Sequence, residues 1–376
     1  MTRALQVRRL GLVEYSDGLA AQARLVTARL AGEVPDTLLL LEHPRVLTLG
    51  RGGTERNVLW PRALLEQRGF ELYQTNRGGD VTYHGPGQLV GYPILDLKPD
   101  RKDVRKYVAS LEELMIRTAA DYGVRAERVA GRTGIWTEAG KLGAIGVHLA
   151  HWITSHGFAF NLTTDLSDFA AIVPCGISDA SVTSLEALLG RAPGPDSAPA
   201  MREVEERATA HAAQVWESEP VFVEPELRTI SLTVLGEDGR VLLLHRLPER
   251  GGFWQTLTGR REPGESALAA AARELHEETS FAPRLEEIVA LDYVHSFALG
   301  QDQMTRPRFA EETAFTVRVA RSDPSLDLRE HDAFRWCTVD EALALLPFAG
   351  LRRALRLAVA DQSSMVMPSR AAKAPG

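Results

Sequence analysis

The chain has 376 residues, 44% apolar and 25% charged, which is the make-up of a soluble globular protein of about two domains. Its 43 Lys and Arg against 50 Asp and Glu leave a formal charge of −7, which excludes a bulk basic surface, so no nucleic-acid partner is expected. No apolar run reaches the ~20 residues that span a bilayer, the N-terminus has no signal-peptide core, and two cysteines, Cys175 and Cys337, make no disulfide framework; a cytoplasmic protein with no membrane partner is expected. In chain order, Leu38-Leu-Leu-Leu41 predicts a short apolar strand that ends at His43-Pro44. Residues 102–122 predict a helix with Tyr107, Leu111, Leu114, Met115 and Ala119 along one face. Gly157-Phe-Ala-Phe-Asn-Leu162 reads as a strand, residues 190–199 as a loop and residues 200–216 as a helix. Glu217-Ser-Glu-Pro220 and Glu224-Pro225 bracket an expected hinge. A new strand, Ile230–Leu235, turns through Gly236-Glu-Asp-Gly239 into Val241–Leu244. The domains expected are 1–222 and 226–360, with residues 361–376 as a disordered tail.

The first half carries Arg77-Gly-Gly-Asp-Val-Thr-Tyr-His84-Gly-Pro-Gly-Gln88, then Lys141 in Gly140-Lys-Leu-Gly-Ala-Ile-Gly146, then Cys175 in Pro174-Cys-Gly176. A thiolate attacks a thioester readily because the leaving group is itself a thiolate. Free cysteine is only a few per cent ionised at neutral pH, so it needs a base or a positive charge beside it. Taken alone, Cys175 reads as an inert core residue and Lys141 as a solvated one. The ordered set of motifs decides otherwise. Leu41-Glu-His-Pro44, Thr48-Leu-Gly-Arg51, Arg77–Gln88, Gly140–Gly146, Ser155-His-Gly157 and Pro174-Cys-Gly176 together resemble lipoyl(octanoyl) transferases over about residues 5–220.

That resemblance implies octanoyl transfer from octanoyl-acyl carrier protein to a lysine of a lipoyl domain. The acceptors would be lipoyl domains of 2-oxoacid dehydrogenases and the glycine cleavage H protein. Cys175 would carry the acyl group and Lys141 would act as base, with no cofactor in this domain. Arg77, Gly78, Gly79, Asp80, Val81, Thr82, Tyr83 and His84 would lie against substrate, with Ala144, Ile145, Gly146, Gly157, Phe158 and Ala159 lining the same pocket. Glycines there let backbone N–H groups approach an oxyanion, and apolar walls bury an acyl tail at about 0.8 kcal/mol per CH₂. Asp80 stands where related transferases often have glutamine. His84 has a second reading as a loop-holding residue, and His43, His148 and His151 read as structural.

Residues 259–281 read Gly259-Arg-Arg-Glu-Pro-Gly-Glu265-Ser-Ala-Leu-Ala-Ala-Ala-Ala-Arg273-Glu274-Leu-His-Glu277-Glu278-Thr-Ser280-Phe281. The alanine run favours helix, which puts Glu274, Glu277 and Glu278 on one face at i, i+3 and i+4. Adjacent carboxylates repel one another unless a cation lies among them, and hard divalent ions prefer oxygen. A solvated acidic helix would explain the three glutamates but not the Gly259 loop or the Glu265 spacing. The pattern resembles the nudix box, with Ser280 in place of its late glycine. It implies Mg²⁺ or Mn²⁺ held by Glu274, Glu277 and Glu278, with Arg273 orienting a carboxylate. If that glycine has positive φ, Ser280 strains the turn. Leu244-His-Arg246, Phe253–Gly259, Glu311–Phe315 and Glu330–Trp336 further resemble dihydroneopterin triphosphate pyrophosphatase. By that likeness Glu312 is a further metal ligand or base, Arg246 and Thr258 touch substrate, and Trp254 stacks on a base or packs in the core.

The fold expected is α/β (α+β): a biotin/lipoate ligase-like transferase fold followed by a nudix α/β/α sandwich. The function expected is octanoyl transfer fused to a pyrophosphohydrolase acting on a pterin or nucleoside triphosphate. The alternative is an ATP-dependent lipoate-protein ligase with a regulatory, nucleotide-sensing nudix module. A ligase that adenylates a free acid needs no cysteine, and Pro-Cys-Gly argues against it.

Overall fold

The computed structural model of the chain describes residues 3–173, 181–190, 199–299 and 308–365, with side chains through residue 360. Cys175 and most of the loop expected at 190–199 lie outside the described residues. The chain divides into two compact units, Met1–Pro225 with Phe297–Phe309, and Glu226–Ser296 with Ala310–Gly376.

The first unit begins with β1 (Arg3–Leu12), α1 (Tyr15–Leu30), β2 (Asp36–Glu42), β3 (Val46–Leu49), α2 (Arg62–Gln67), β4 (Glu71–Gln74), β5 (Val81–His84) and β6 (Gln88–Ile94). It continues through α3 (Val104–Ala120), β7 (Glu127–Val129), β8 (Arg132–Thr137), β9 (Gly140–Ala150), β10 (Ile153–Asn161), α4 (Leu185–Leu189), α5 (Met201–Val215) and β11 (Ser218–Phe222). The main sheet runs β1-β2-β6-β10-β9-β8-β7, and β3 pairs with β4 and β5 in a small separate sheet. The apolar run of β2 has a physical reason. Leu38 and Leu40 join one core with residues of α3 and α5, while Leu39 and Leu41 join another with Ala21, Leu25 and Ala28 of α1. Alternate side chains of a strand point to opposite faces, so a strand covered on both sides must be apolar throughout. Helix α3 starts at an Asp103 cap, whose side chain accepts from Lys106 N at 3.0 Å, and buries the predicted Tyr107, Leu111, Leu114, Met115 and Ala119.

Part of the segment bracketed as a hinge, 217–225, is a strand. Residues Ser218–Phe222 form β11, a strand parallel to β1 with Arg3 opposite Ser218 and Val7 opposite Phe222. Pro220 lacks an N–H but is tolerated on an edge strand, so proline here marks an edge and not a break. The first unit therefore extends to Pro225, and it also takes in Phe297–Phe309 from the middle of the second.

The second unit contains β12 (Leu227–Gly236), β13 (Val241–Arg246), β14 (Trp254–Gln255), β15 (Leu257–Arg260), α6 (Ala267–Thr279), β16 (Ile288–Leu299), β17 (Arg308–Val319), β18 (His331–Cys337), α7 (Val339–Leu345) and α8 (Ala349–Met365). β12 lies parallel to β17 and antiparallel to β15, and β13 joins β14 and β18. The Gly236–Gly239 turn closes with Gly239 N donating to Gly236 O at 2.9 Å, and Gly239 has φ of 78°. Helices α6 and α8 both pack on β12. Ala270, Ala271 and Leu275 of α6 meet Ile230, Leu232 and Val234 in the core. Helix α8 runs to Met365, past the residue where a tail was expected to begin.

Candidate functional sites

In the first unit, the end of β5, the adjoining 77–82 loop, and the middles of β9 and β10 enclose a cleft. Arg77, Gly79, Asp80, Val81, Thr82, His84, Lys141, Ala144, Ile145, Gly146, Gly157, Phe158 and Ala159 all line it. Antiparallel pairing explains much of this convergence: β9 and β10 are in register with Gly146 opposite Gly157, Ile145 opposite Phe158 and Ala144 opposite Ala159.

Arg77 is 6% exposed, and its guanidinium is turned inward. Nη2 donates to Thr48 O at 2.5 Å and to Thr48 Oγ1 at 2.8 Å, and Nη1 donates to Gly78 O at 3.0 Å. The side chain thus braces its own loop and puts a fixed positive charge below the cleft. Gly146 allows this, since a Cβ there would stand 2.9 Å from Arg77 Cδ. Lys141 is 7% exposed, with Nζ 5.2 Å from the Trp136 ring centroid. Its N–H donates to Ser181 O at 2.9 Å and its carbonyl accepts from Thr183 N at 3.0 Å. The described chain stops at Val173 and resumes at Ser181, so the bonds to Lys141 lie immediately after the segment that contains Cys175. His84 Nδ1 donates to Gln88 Oε1 at 2.7 Å. Burial, then the neighbouring His43, presses the His84 pKa down to about 3.

Two residues expected against substrate are not in the lining. Tyr83 points into the core of the small sheet and donates to Asp168 Oδ2 at 2.7 Å. Strand alternation sends it to the face opposite Thr82 and His84. Gly78 spends its N–H on Val147 O at 2.8 Å, tying the loop to β9. Three lining residues were missed: Tyr15, Tyr92 and His156. His156 lay within a quoted motif; the two tyrosines come from distant elements with no local signal. His156 has φ of 53°, bonds Asn76 Oδ1 through Nε2 at 2.9 Å, and is pressed to a pKa of about 4 by burial and then by Arg77. His43, read as structural, is fully buried between Val13 O and Tyr92 Oη, each 2.7 Å away.

In the second unit, Ser266 caps α6 by accepting from Ala269 N at 3.1 Å, which presents the glutamates in helical register. Arg273 is the hub. It reaches Glu265 with Nε at 2.9 Å and Nη2 at 3.1 Å, Glu274 at 2.9 Å and Glu277 at 3.1 Å. The spacing of Glu265 thus makes a bidentate clamp on the arginine. A Cβ at Gly259 would collide with the Glu274 carboxyl, so glycine lets that carboxyl sit against β15. Ser280 closes the helix in the left-handed region, at φ 59° and ψ 11°, with its N–H on His276 O at 2.8 Å.

The expected carboxylates divide. Glu278 is 4% exposed and meets His331 Nε2 at 3.0 Å; burial first, against the favourable His331 contact, raises its pKa. Among the described residues, Glu278, Glu330 and His331 bring potential ligand atoms within 4.8 Å of one another. Glu274 and Glu277 lie outside that group and pair with Arg273. Glu312 is 4% exposed, 3.4 Å from Thr229 Oγ1 and 3.6 Å from His295 Nε2. Burial raises the Glu274 pKa, and Glu278 and Glu277 add like-charge repulsion. Buried and crowded carboxylate oxygens of this kind fit a hard divalent cation. Arg246 lies 3.8 Å from Glu330, Thr258 accepts from Gln255 at 3.2 Å, and Trp254 lies beside His245 with ring centroids 5.0 Å apart.

Residues 14–212 match the lipoyl protein ligase A/B catalytic domain, and residues 225–357 match the NUDIX domain. An octanoyltransferase of Myxococcus xanthus is 48% identical over 368 residues, covering 95% of this chain and 99% of that protein. An octanoyltransferase of Acidobacterium capsulatum is 56% identical over 195 residues, 48% of this chain and 79% of that protein. Among solved structures, the E. coli dihydroneopterin triphosphate pyrophosphohydrolase aligns at 25% identity and a TM-score of 0.32 over 37% of this chain and 99% of its own. An ATP-bound lipoate-protein ligase A aligns at 14% identity and a TM-score of 0.45 over 60% of this chain and 89% of its own. With a catalytic-domain match over more than half its length and a relative aligned through both units, the chain belongs to the lipoyl protein ligase A/B catalytic family, as an octanoyltransferase that carries a NUDIX hydrolase domain.

Proposed function

We propose that the first unit transfers octanoyl groups from octanoyl-acyl carrier protein to lysines of lipoyl domains through a thioester on Cys175. The observation that carries this reading is the convergence of Lys141, His84 and the β9–β10 glycine wall on one cleft, with the Lys141 backbone bonded to Ser181 and Thr183. Lys141 would take the Cys175 proton. The thiolate would add to the thioester carbonyl, the carbon–sulfur bond to the carrier would break, and the departing thiolate would recover the proton from Lys141. In the second half the acceptor amine would attack the acyl-cysteine, Cys175 would leave as thiolate, and Lys141 would remove the surplus amine proton. The polar loop and Arg77 brace the carbonyl end, while Ile145, Phe158 and Ala144 offer apolar surface to the chain. Intact mass after incubation with octanoyl-acyl carrier protein tests this: one octanoyl adduct is expected on the wild type and none on Cys175→Ala. Normal transfer by Cys175→Ala would sink the reading, and octanoate transfer that requires ATP would replace it with the ligase alternative.

For the second unit the reading is a cytoplasmic, Mg²⁺- or Mn²⁺-dependent pyrophosphohydrolase acting on a pterin or nucleoside triphosphate. Glu274, Glu277 and Glu278 would hold the cation, with Glu312 beside them. Such an ion neutralises phosphate oxygens and lowers the pKa of water. Arg273 sets the glutamate rotamers, and Arg246 and Arg250, both beside Glu330, supply cationic groups for phosphate. Trp254 offers an aromatic face, where a stacked base is worth roughly 1–3 kcal/mol. A panel of dihydroneopterin triphosphate, nucleoside triphosphates, dinucleoside polyphosphates and nucleotide sugars tests the substrate class. A preference for either of the last two would overturn it.

A further inference from the structure

We infer that His84 is locked in the Nδ1–H tautomer, so that its Nε2 lone pair is a fixed hydrogen-bond acceptor in the cleft, and that Gln88 and Asn161 are the positioning residues that lock it. The argument starts at two backbone carbonyls, which only accept. Asn161 Nδ2 lies 2.9 Å from Thr183 O, so the amide must donate there and its Oδ1 must face the other way. That Oδ1 lies 2.9 Å from Gln88 Nε2, which also lies 3.3 Å from Tyr83 O. Gln88 therefore spends both N–H groups on acceptors, and its Oε1 is left to receive. The group 2.7 Å from Oε1 is His84 Nδ1, which must donate. Reversing any amide in this chain would set oxygen against a backbone carbonyl. All four partners are buried, where a misdirected polar contact costs most.

The consequence is a histidine that accepts hydrogen bonds without taking the proton. Its surroundings discourage protonation, against the Gln88 contact that favours it: His43 and Tyr15 pack on the ring, at 5.8 Å and 6.3 Å between centroids, and Arg77 and His156 line the same cleft. The pKa near 3, set first by burial, agrees with the geometry. In an acyl-transfer cleft the donor that matches this lone pair is an N–H of the entering lysine amine. Held by Nε2, that N–H aims the nitrogen lone pair at the acyl carbon, while Lys141 takes the proton released on attack. The same chain ends at Thr183, whose own N–H bonds Lys141 O at 3.0 Å, so the acceptor and the base share one anchor. This role rests on the acyl-transfer reading of the cleft; the tautomer does not.

Long-range ¹H–¹⁵N spectra of the histidine side chains, assigned with His84→Asn, test the tautomer in the full chain. The Nδ1–H form is expected across the neutral range with no titration. An Nε2–H form, or a midpoint near the ordinary histidine value, would overturn the inference. Gln88→Leu removes the acceptor that faces Nδ1 and should release a mixture of tautomers; an unchanged spectrum would remove Gln88 and Asn161 from the role. His84→Asn keeps a donor for Gln88 and loses the acceptor. It should lose about tenfold or more in deacylation by a lipoyl domain beyond whatever it loses in acylation from octanoyl-acyl carrier protein. Equal loss in both half-reactions would overturn the amine-orienting role. Absence of any acyl-enzyme in the wild type would instead strike the acyl-transfer reading and leave the tautomer standing.

Discussion

At the scale of the residue, Lys141 shows what its environment adds to a motif. The sequence places a lysine among glycines. The structure makes it 7% exposed and lays its Nζ 5.2 Å from the face of Trp136. In the acyl-transfer reading Lys141 passes a proton to and from Cys175. A guanidinium at the same place keeps the charge but not that exchange, so Lys141→Arg should lose about 10²-fold or more in octanoyl transfer, as general-base contributions do. Single-turnover transfer measures it, and a wild-type-like rate would leave Lys141 an electrostatic role only. The cleft residues of the glycine motifs were legible because each motif is one contiguous loop or hairpin. Tyr15 and Tyr92 were not, because they reach the cleft through α1 and β6 and their local sequences are ordinary. Tyr83 was misread for a similar reason: a motif does not show which strand face a residue takes.

At the scale of the element, α6 carries both a success and a cost. Its alanine run and the pairing of Arg273 with a carboxylate were readable, and so was the consequence of Ser280; the Ser266 cap was not read. The residue sits at φ 59°, exposed, at the helix C-terminus. A β-carbon in the left-handed region costs roughly 1 kcal/mol relative to glycine, and no buried contact would be lost. Ser280→Gly should therefore stabilise the second unit by about 1 kcal/mol, read as a higher urea midpoint with an unchanged slope. A lower midpoint would mean that the serine hydroxyl contributes more than the backbone strain. The strand inside the expected hinge segment, Ser218–Phe222, was not read. Proline and glutamate signal a break locally, but pairing with β1 is a long-range event, and an edge position tolerates both. Helical spacing showed that the glutamates share a face, but not that Arg273 pairs with two of them.

At the scale of the whole molecule, the two chemistries use separate residues and should be separable by mutation. Cys175→Ala should abolish transfer and leave metal-dependent hydrolysis intact, and Glu278→Gln should do the reverse, with metal affinity and turnover falling together. Loss of both activities in either variant would contradict this independence. The first unit should also fix the acid limit of the protein. His43, His84 and His156 are each less than a tenth exposed, and burial presses their pKa values to about 4, 3 and 4 from 6.5. A depressed histidine is neutral in the folded chain and takes its proton first in the unfolded one. Its contribution is present above pH 6.5 and is lost as pH falls from there toward 4 or below. Within that window each group weakens the fold by about 1.4 kcal/mol per pH unit. Urea midpoints should fall steeply between about pH 7 and pH 5.5, with net proton uptake on unfolding approaching three from this cluster. Calorimetry in buffers of different ionisation enthalpy counts those protons. Unfolding at about pH 5.5 without proton uptake would show that the three rings are already charged in the native state, and the neutral cage around the cleft would have to be abandoned.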